Sequence, residues 1–262
     1  MVILVLAGTL EGRETALLLQ QAGFAVTATA VTDYGCRLLQ QQGLTGTLTG
    51  PLDEAALAAI LGRGVQLLVD ATHPFAEQAS RTAMAAARTA GVAYLRLERP
   101  GAALPDHPLV YRARDLTTTI SQALELGKVL FSTLGSKSLA SLLAAAAPAG
   151  ARVVARVLPD SEVIRHCRQI GLTPDQIIAL QGPCSVELNK ALYRQYRAEV
   201  VLTKDSGYTG GVPEKIAAAL AVGLPVVVWQ RPLLPYPLVL HSPAEVLQYC
   251  LHNLAGRPPG HQ

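Results

Sequence analysis

Apolar residues along the chain fall into short continuous runs, and between those runs they recur every three or four positions. Continuous runs read as strands buried on both faces, and the three-to-four spacing reads as helices laid against them. The pattern predicts strand over Val2–Ala7, helix over Glu11–Gln21, strand over Ala25–Val31 and helix over Gly35–Gln42. A weak strand at Gly46–Thr49 precedes a helix over Leu52–Leu61, opened by Pro51 and Asp53. Strand Val65–Val69, a long Ala-rich helix over Pro74–Ala90 and strand Tyr94–Leu97 close this series. Proline suits the first turn of a helix, where its missing N–H has no internal acceptor to lose.

Glu98–Pro108, with three prolines and a glycine, breaks the alternation and marks a domain boundary. A second series runs through helix Leu116–Leu126, strand Lys128–Thr133, helix Lys137–Ala147 and strand Arg152–Val157. It continues through helix Ser161–Ile170, strand Ile177–Leu180, helix Val186–Arg197, strand Val200–Lys204, helix Val212–Ala221 and strand Pro225–Trp229. A last helix, Pro243–Leu254, precedes a Pro/Gly tail. Strands alternating with crossover helices imply parallel sheets, and two such series imply two doubly wound α/β domains. They are expected at residues 1–105 and 106–254, with a tail at 255–262.

Composition narrows the class. Half of the 262 residues are apolar, 16% are charged and 5% are aromatic, so Ala, Leu and Val must build the core. Mean hydropathy is +0.30. Even so, no stretch of about 18 apolar residues lacks a polar break, which argues against a membrane span. Met1–Ala7 passes straight into Gly8-Thr9 with no basic lead and no cleavage site, so it is expected to be a strand and not a signal peptide. Cys36, Cys167, Cys184 and Cys250 are widely spaced and read as reduced thiols of a cytoplasmic protein. A net charge of +3 is too mild for nucleic acid but leaves room for a local basic pocket. No His/Cys/Asp/Glu set has metal-ligand spacing, and no G-x-S-x-G occurs.

In doubly wound sheets, ligands bind at the carboxyl ends of strands. The first such loop is Gly8-Thr9-Leu10-Glu11-Gly12-Arg13. A glycine there lets a phosphate approach the backbone at a helix N-terminus, Thr9 can cap the helix or donate to a phosphate, and Arg13 could reach an anion. A glycine required only for a tight turn fits equally. Asp33, after the second strand, could read ribose hydroxyls or cap a helix, and Arg37 follows one turn later. Asp70-Ala71-Thr72-His73 combines polar groups with a histidine able to move protons near neutral pH. A Thr72 helix cap beside an exposed His73 is the alternative. Ser132-Thr133-Leu134-Gly135-Ser136-Lys137 puts a cation at a helix start, against the dipole, which an anion there would explain. Gln181-Gly182-Pro183-Cys184-Ser185 and Lys204-Asp205-Ser206-Gly207-Tyr208 follow, the latter in the densest polar cluster of the chain, and Arg231 ends the series. Lys204 and Asp205 could simply pair with each other.

With these loops in view, the sequence resembles the precorrin-6A reductase family of cobalamin biosynthesis, including its cobalt-precorrin-6A variant. The segments that carry the resemblance are LAGTLEGRE (6–14), VDATHPFA (69–76), YLRLERP (94–100), STLGSKSL (132–139), RVLPDSEVI (156–164), IIALQGPCSVELN (177–189) and VLTKDSGYTGGVPEKIAAA (201–219). The resemblance implies two Rossmann-like domains with a cleft between them and a strand exchanged between their sheets. It implies hydride transfer from NADPH, with NADH the alternative, to C19 of the macrocycle, and addition of one proton. One departure is Ala7 before Gly8, where the family often has a second glycine.

On this basis Gly8, Thr9, Leu10 and Arg13 are expected at the cofactor, with Thr72 and His73 near its nicotinamide. Lys204, Asp205 and Ser206 are expected at the reaction. Ser136, Lys137, Gly182, Ser185, Gly207 and Arg231 are expected at a tetrapyrrole fringed with carboxylates, with Arg96 and Arg99 as further anion partners. The expected partners are the tetrapyrrole and the dinucleotide, with no metal, no nucleic acid and no membrane, and the protein is expected as monomer or homodimer. A methyltransferase using S-adenosylmethionine and a non-catalytic tetrapyrrole or nucleotide carrier are the alternatives.

Overall fold

The computed structural model describes residues 2–30, 33–50 and 52–254. Val31, Thr32, Pro51 and the tail at 255–262 lie outside the described residues, as do the side chains of Asp33 and Tyr34, so the reading of Asp33 falls there too. The elements of the first half are β1 Val2–Leu6, α1 Leu10–Gln21, β2 Ala25–Ala30, α2 Asp33–Gln41, β3 Gly46–Thr49, α3 Glu54–Leu61, β4 Val65–Asp70, α4 Glu77–Ala90 and β5 Ala93–Leu97. The chain continues with β6 Val110–Ala113, α5 Leu116–Leu126, β7 Val129–Ser132, a 3-10 turn at Ser136–Ser138, α6 Leu139–Ala146, β8 Arg152–Val157 and α7 Ser161–Gln169. It ends with β9 Ile177–Ala179, α8 Val186–Gln195, β10 Val200–Lys204, α9 Val212–Ala221, β11 Val226–Trp229, β12 Val239–Leu240 and α10 Pro243–Asn253.

These elements form two six-stranded sheets in which every strand pairing is parallel. The orders are β3-β2-β1-β4-β5-β12 and β9-β8-β7-β10-β11-β6. Each is the doubly wound order 3-2-1-4-5-6, and the sixth position explains the exchange. Sheet A takes its sixth strand from β12, near the chain's end, whereas sheet B takes its sixth from β6, which precedes its first.

The contact pattern therefore divides the chain into Met1–Pro100 with Leu233–Gln262, and Gly101–Pro232. This differs from the two consecutive blocks expected. The last strand and helix return to the first unit because β12 registers on Arg96 and Leu97 of β5, and α10 packs Val246 and Cys250 into the first unit's core. Both exchanged strands went unread in the sequence, since four and two residues carry too little periodicity.

Each sheet is covered on both faces. In the first unit Ile3 and Val5 face α1, α2 and α10, while Leu4, Leu6 and Leu68 face α3 and α4. In the second, Leu130, Leu202 and Val153 face α5, α6 and α7, while Phe131, Val201 and Val228 face α8 and α9. The four cysteines are buried free thiols. No helix among the described residues is long and apolar enough to cross a membrane.

Two of the shifted helix starts change how a residue is read. Pro74 is not in a helix; α4 begins at Glu77, because Ala76 N donates to His73 O at 2.7 Å and Phe75 N to His73 Nδ1 at 3.2 Å, which closes a turn first. Lys137 lies in the 3-10 turn ahead of α6 and not at the start of an α-helix, so its conflict with a helix dipole does not arise.

Gly12 marks where α1 meets the sheet. A Cβ there would sit 2.8 Å from Ala71 Cβ and 3.0 Å from Ala7 Cα. Backbone cannot yield as a flexible side chain does, so Gly12→Ala should cost about 1–3 kcal/mol. Urea unfolding measures this, and an unchanged midpoint would show that the contact carries no such constraint.

Candidate active site

In sheet A the crossovers leave β1 toward one face, through α1, and reach β4 from the other, through α3. The loops after β1 and β4 thus diverge and leave a crevice at the carboxyl edge. Thr9 joins the two: its hydroxyl accepts from Gly12 N at 3.1 Å, capping α1, and donates to Ala71 O at 2.9 Å. Thr9 is therefore a cap and a tie, the structural one of its two readings. Gly8 has no positive φ, and a Cβ there would meet only Thr72 Cα, at 3.7 Å. Backbone conformation does not demand this glycine, and its missing side chain leaves space beside the turn. Leu10, 40% exposed, opens α1. Arg13 is half-buried, and its Nε is enclosed without a hydrogen-bond partner. A close backbone at a helix start, beside an unsatisfied cationic donor, fits a dinucleotide phosphate.

The floor of this crevice is a buried ion pair. Arg96 and Asp70 are both fully buried, with Arg96 Nη1 3.0 Å from Asp70 Oδ1. Asp70 also accepts from Tyr94 OH at 2.6 Å and Thr72 N at 3.0 Å. Arg96 donates onward to Thr72 Oγ1 at 3.1 Å and to Glu98 Oε2 at 3.1 Å, and its guanidinium carbon lies 5.3 Å from the Tyr236 ring centroid. Burial alone would push the Asp70 carboxyl up, but Arg96 and hydrogen bonds from Ser80, Tyr94 and Thr72 outweigh it and hold it below its usual range. Tyr94 is pushed well up, first by burial and then by the Asp70 charge. Arg96 is thus spent inside the protein. Arg99 likewise pairs with Glu11 at 2.6 Å. Thr72 lies between Arg96 and Ser80, while His73 faces Phe75 with ring centroids 5.9 Å apart.

Sheet B repeats the divergence at β7 and β10. Thr133 Oγ1 donates to Leu202 O at 3.0 Å. Ser136 opens the 3-10 turn and Lys137 is exposed on it. Lys204, half-buried, holds its ammonium 4.8 Å over the Trp229 ring. Burial first, and then the Lys137 charge, push Lys204 down to about 8. Asp205 pairs with Arg231, whose Nε lies 3.7 Å from Asp205 Oδ2 and donates to Asp205 O at 2.9 Å. Asp205 Oδ1 also accepts from Ala102 N at 3.3 Å. Ser206 is buried, and a Cβ on Gly210 would strike its hydroxyl, so this glycine is what makes room for the serine. Gly207 turns the loop at φ 74, and Tyr208 stands 62% exposed beside it.

Gly182 is exposed, and the Ser185 hydroxyl caps α8 by accepting from Leu188 N at 3.2 Å. Sequence reasoning missed what lies beneath this loop. Arg156 from β8 and Lys215 from α9 are buried on the face that α8 and α9 cover, each 7% exposed. A cation inside an apolar strand is a visible signal in the sequence, and RVLPDSEVI contains Arg156.

A family model, "Precorrin-6x reductase CbiJ/CobK", matches residues 2–251. The chain belongs to this family of reductases. Among curated relatives, the cobalt-precorrin-6A reductase of Methanothermobacter thermautotrophicus is 40% identical over 88% of this chain and 77% of its own. That of Priestia megaterium is 37% identical over 94% and 96%. A solved structure titled "CobK precorrin-6A reductase" superposes with a TM-score of 0.76 at 25% identity, covering all of both chains.

The ion pair under the crevice gives a pH signature. Asp70 has its carboxyl lowered from 3.8, so its stabilisation is fully present above that value and is lost as pH falls through the lower, folded one. Asp70→Asn should cost about 3–5 kcal/mol near neutrality by stranding Arg96, and should flatten the fall in stability below pH 3.8. Urea midpoints across the acid range test both; parallel wild-type and variant curves would contradict the assignment.

Proposed function

We propose that this protein reduces precorrin-6A, or its cobalt-bearing form, to the 6B state with a nicotinamide dinucleotide, NADPH foremost and NADH as the alternative, in the cytoplasm. The observation that carries the cofactor assignment is the β1–α1 turn, where Gly12 lets the helix close on the sheet, Gly8 leaves the backbone open and Arg13 keeps an enclosed donor unsatisfied. A reduced nicotinamide bound there supplies the hydride. Gly8, Leu10 and Arg13 meet the dinucleotide on the turn that Thr9 fixes, and Thr72, held from below by Asp70 and Arg96, borders its nicotinamide together with His73. Family membership favours this reading over a methyltransferase or a carrier.

On the substrate side, Ser136, Lys137, Gly182, Ser185, Gly207 and Arg231 border the carboxylates of the macrocycle. Charged Lys204 attracts a carboxylate or gives up a proton, Asp205 holds the loop and Arg231 in place, and Ser206 supports the turn. The cobalt form is the first substrate to test, because relatives of that name reach 40% and 37% identity while those named for the metal-free form reach 32% and 29%.

The test is loss of reduced-nicotinamide absorbance when protein, either macrocycle and NADPH or NADH are mixed; no loss in any combination overturns the reading. Asp205→Ala should lower turnover roughly 100-fold and leave cofactor affinity nearly intact. Turnover at the wild-type rate would remove Asp205 from the site.

Lys204 adds a pH dependence. Its charge is present below about 8 and is lost above it, so kcat/KM should fall as pH rises through that value. Lys137→Ala removes a neighbouring like charge and should move this midpoint upward. An unmoved midpoint would assign the alkaline limb to another group.

A further inference from the structure

The two buried cations beneath the 182–185 loop have no part in the chemistry above. Arg156 Nη1 donates to Asn189 Oδ1 at 2.7 Å, and Lys215 Nζ donates to Gly210 O at 2.8 Å. Both acceptors are neutral, and no carboxylate among the described residues lies within ion-pair distance of either cation. The geometry is held from several sides. The Asn189 amide group donates to Cys184 O at 3.1 Å and Ser185 O at 2.9 Å, which turns its oxygen toward Arg156. Tyr193 OH donates to Lys215 O at 3.3 Å. A Cβ on Gly211 would lie 3.1 Å from Pro183 Cβ, so the 182–185 loop and the start of α9 are packed together.

Other charges in the neighbourhood offset this pair only in part. Burial first, and then Arg156, push Lys215 down to about 8, while Cys184 and Glu214 act in the opposite direction. Glu214 Oε2 is enclosed without a hydrogen-bond partner, so this acid makes no bond to either cation through that oxygen. No side chain caps α9, whose N-cap is Gly211, so the helix adds its positive end to the same place. Two like charges buried with neutral partners are costly, and a protein retains them when something negative completes the set.

We propose that Arg156 and Lys215 form an oxyanion-binding pocket at the carboxyl edge of sheet B, between the 182–185 loop and the start of α9. The ligand chemistry is a carboxylate or a phosphate. The pocket rests on the burial and bonding of the two cations; only its assignment to a peripheral carboxylate of the macrocycle rests on the reductase reading.

Calorimetric titration of the full chain with inorganic phosphate and with a polycarboxylated porphyrin, against chloride at equal ionic strength, tests this. Saturable binding of either supports the pocket, with the tighter one naming the source. Lys215→Met and Arg156→Leu should each weaken that binding about tenfold. Lys215→Met should also melt at the wild-type temperature or above when no oxyanion is present, because a buried charge has gone. Glu214→Gln should tighten binding and keeps the test open if a cation variant fails to fold. Absence of oxyanion binding by the wild type, equal affinity in both cation variants, or weaker binding by Glu214→Gln overturns the pocket. Binding needs no turnover, so its failure would leave the reductase reading standing, and absent nicotinamide oxidation would leave the pocket standing.

Discussion

Parallel pairing constrains everything else in this protein. A parallel strand cannot be reached by a tight hairpin, so each connection must cross the sheet, and a helix is what fills the crossing. Both faces are then covered, which is why strands such as Val2–Leu6 and Val226–Trp229 carry almost no polar residue. All carboxyl ends also emerge on one edge, so the loops carrying Gly8, Thr72, Lys137, Lys204 and Gly207 end each sheet on its carboxyl side. The sixth position of each sheet is filled from outside its own run of five: by β6 ahead of β7, and by β12 after β11. The chain must therefore finish the second unit before it can complete the first.

Those edges hold buried charge in two different states. Asp70 and Arg96 neutralise each other, with hydroxyl, amide and second carboxylate partners around a fully buried pair and only Arg96 Nη2 left without a hydrogen-bond partner. Such a pair adds little net stability, yet removing one member strands the other, so it specifies the position of Thr72 strongly. Arg156 and Lys215 are an open set, two cations with one neutral acceptor each. The first arrangement fixes a loop, whereas the second is incomplete without something from outside the chain.

Most of the fold was legible because it depends on periodicity, which burial on both sheet faces writes plainly. Leu116–Leu126, Arg152–Val157, Val200–Lys204 and Val212–Ala221 match their expected bounds. β6 and β12 were not legible, being short edge strands whose register comes from the sheet they join. The site was legible as loops but not as bonds. That Arg96 turns inward to Asp70, or Asp205 sideways to Arg231 and Ala102, is decided by partners 26 and 103 residues away in the chain. Local spacing carries no record of them.

The two units solve the same junction alike and then diverge. After the central strand of each sheet, a threonine hydroxyl donates to a carbonyl of the neighbouring strand or its end: Thr9 to Ala71, Thr133 to Leu202. Both hydroxyls, that of Thr9 a ligand candidate in the sequence, are bound inside the protein. In the first unit the helix starts at once, and Gly12 presses it onto β1 and β4, so what remains to meet a ligand is backbone and Arg13. In the second, Gly135 at φ 83 and a 3-10 turn delay the helix, and the lysine pair Lys137 and Lys204 stands at the junction. A helix start pressed onto the sheet suits a phosphate held by amides, while a paired-cation junction suits carboxylates on a larger body. The same junction thus fits the proposed division of labour, with the dinucleotide at the first unit and the anionic macrocycle at the second.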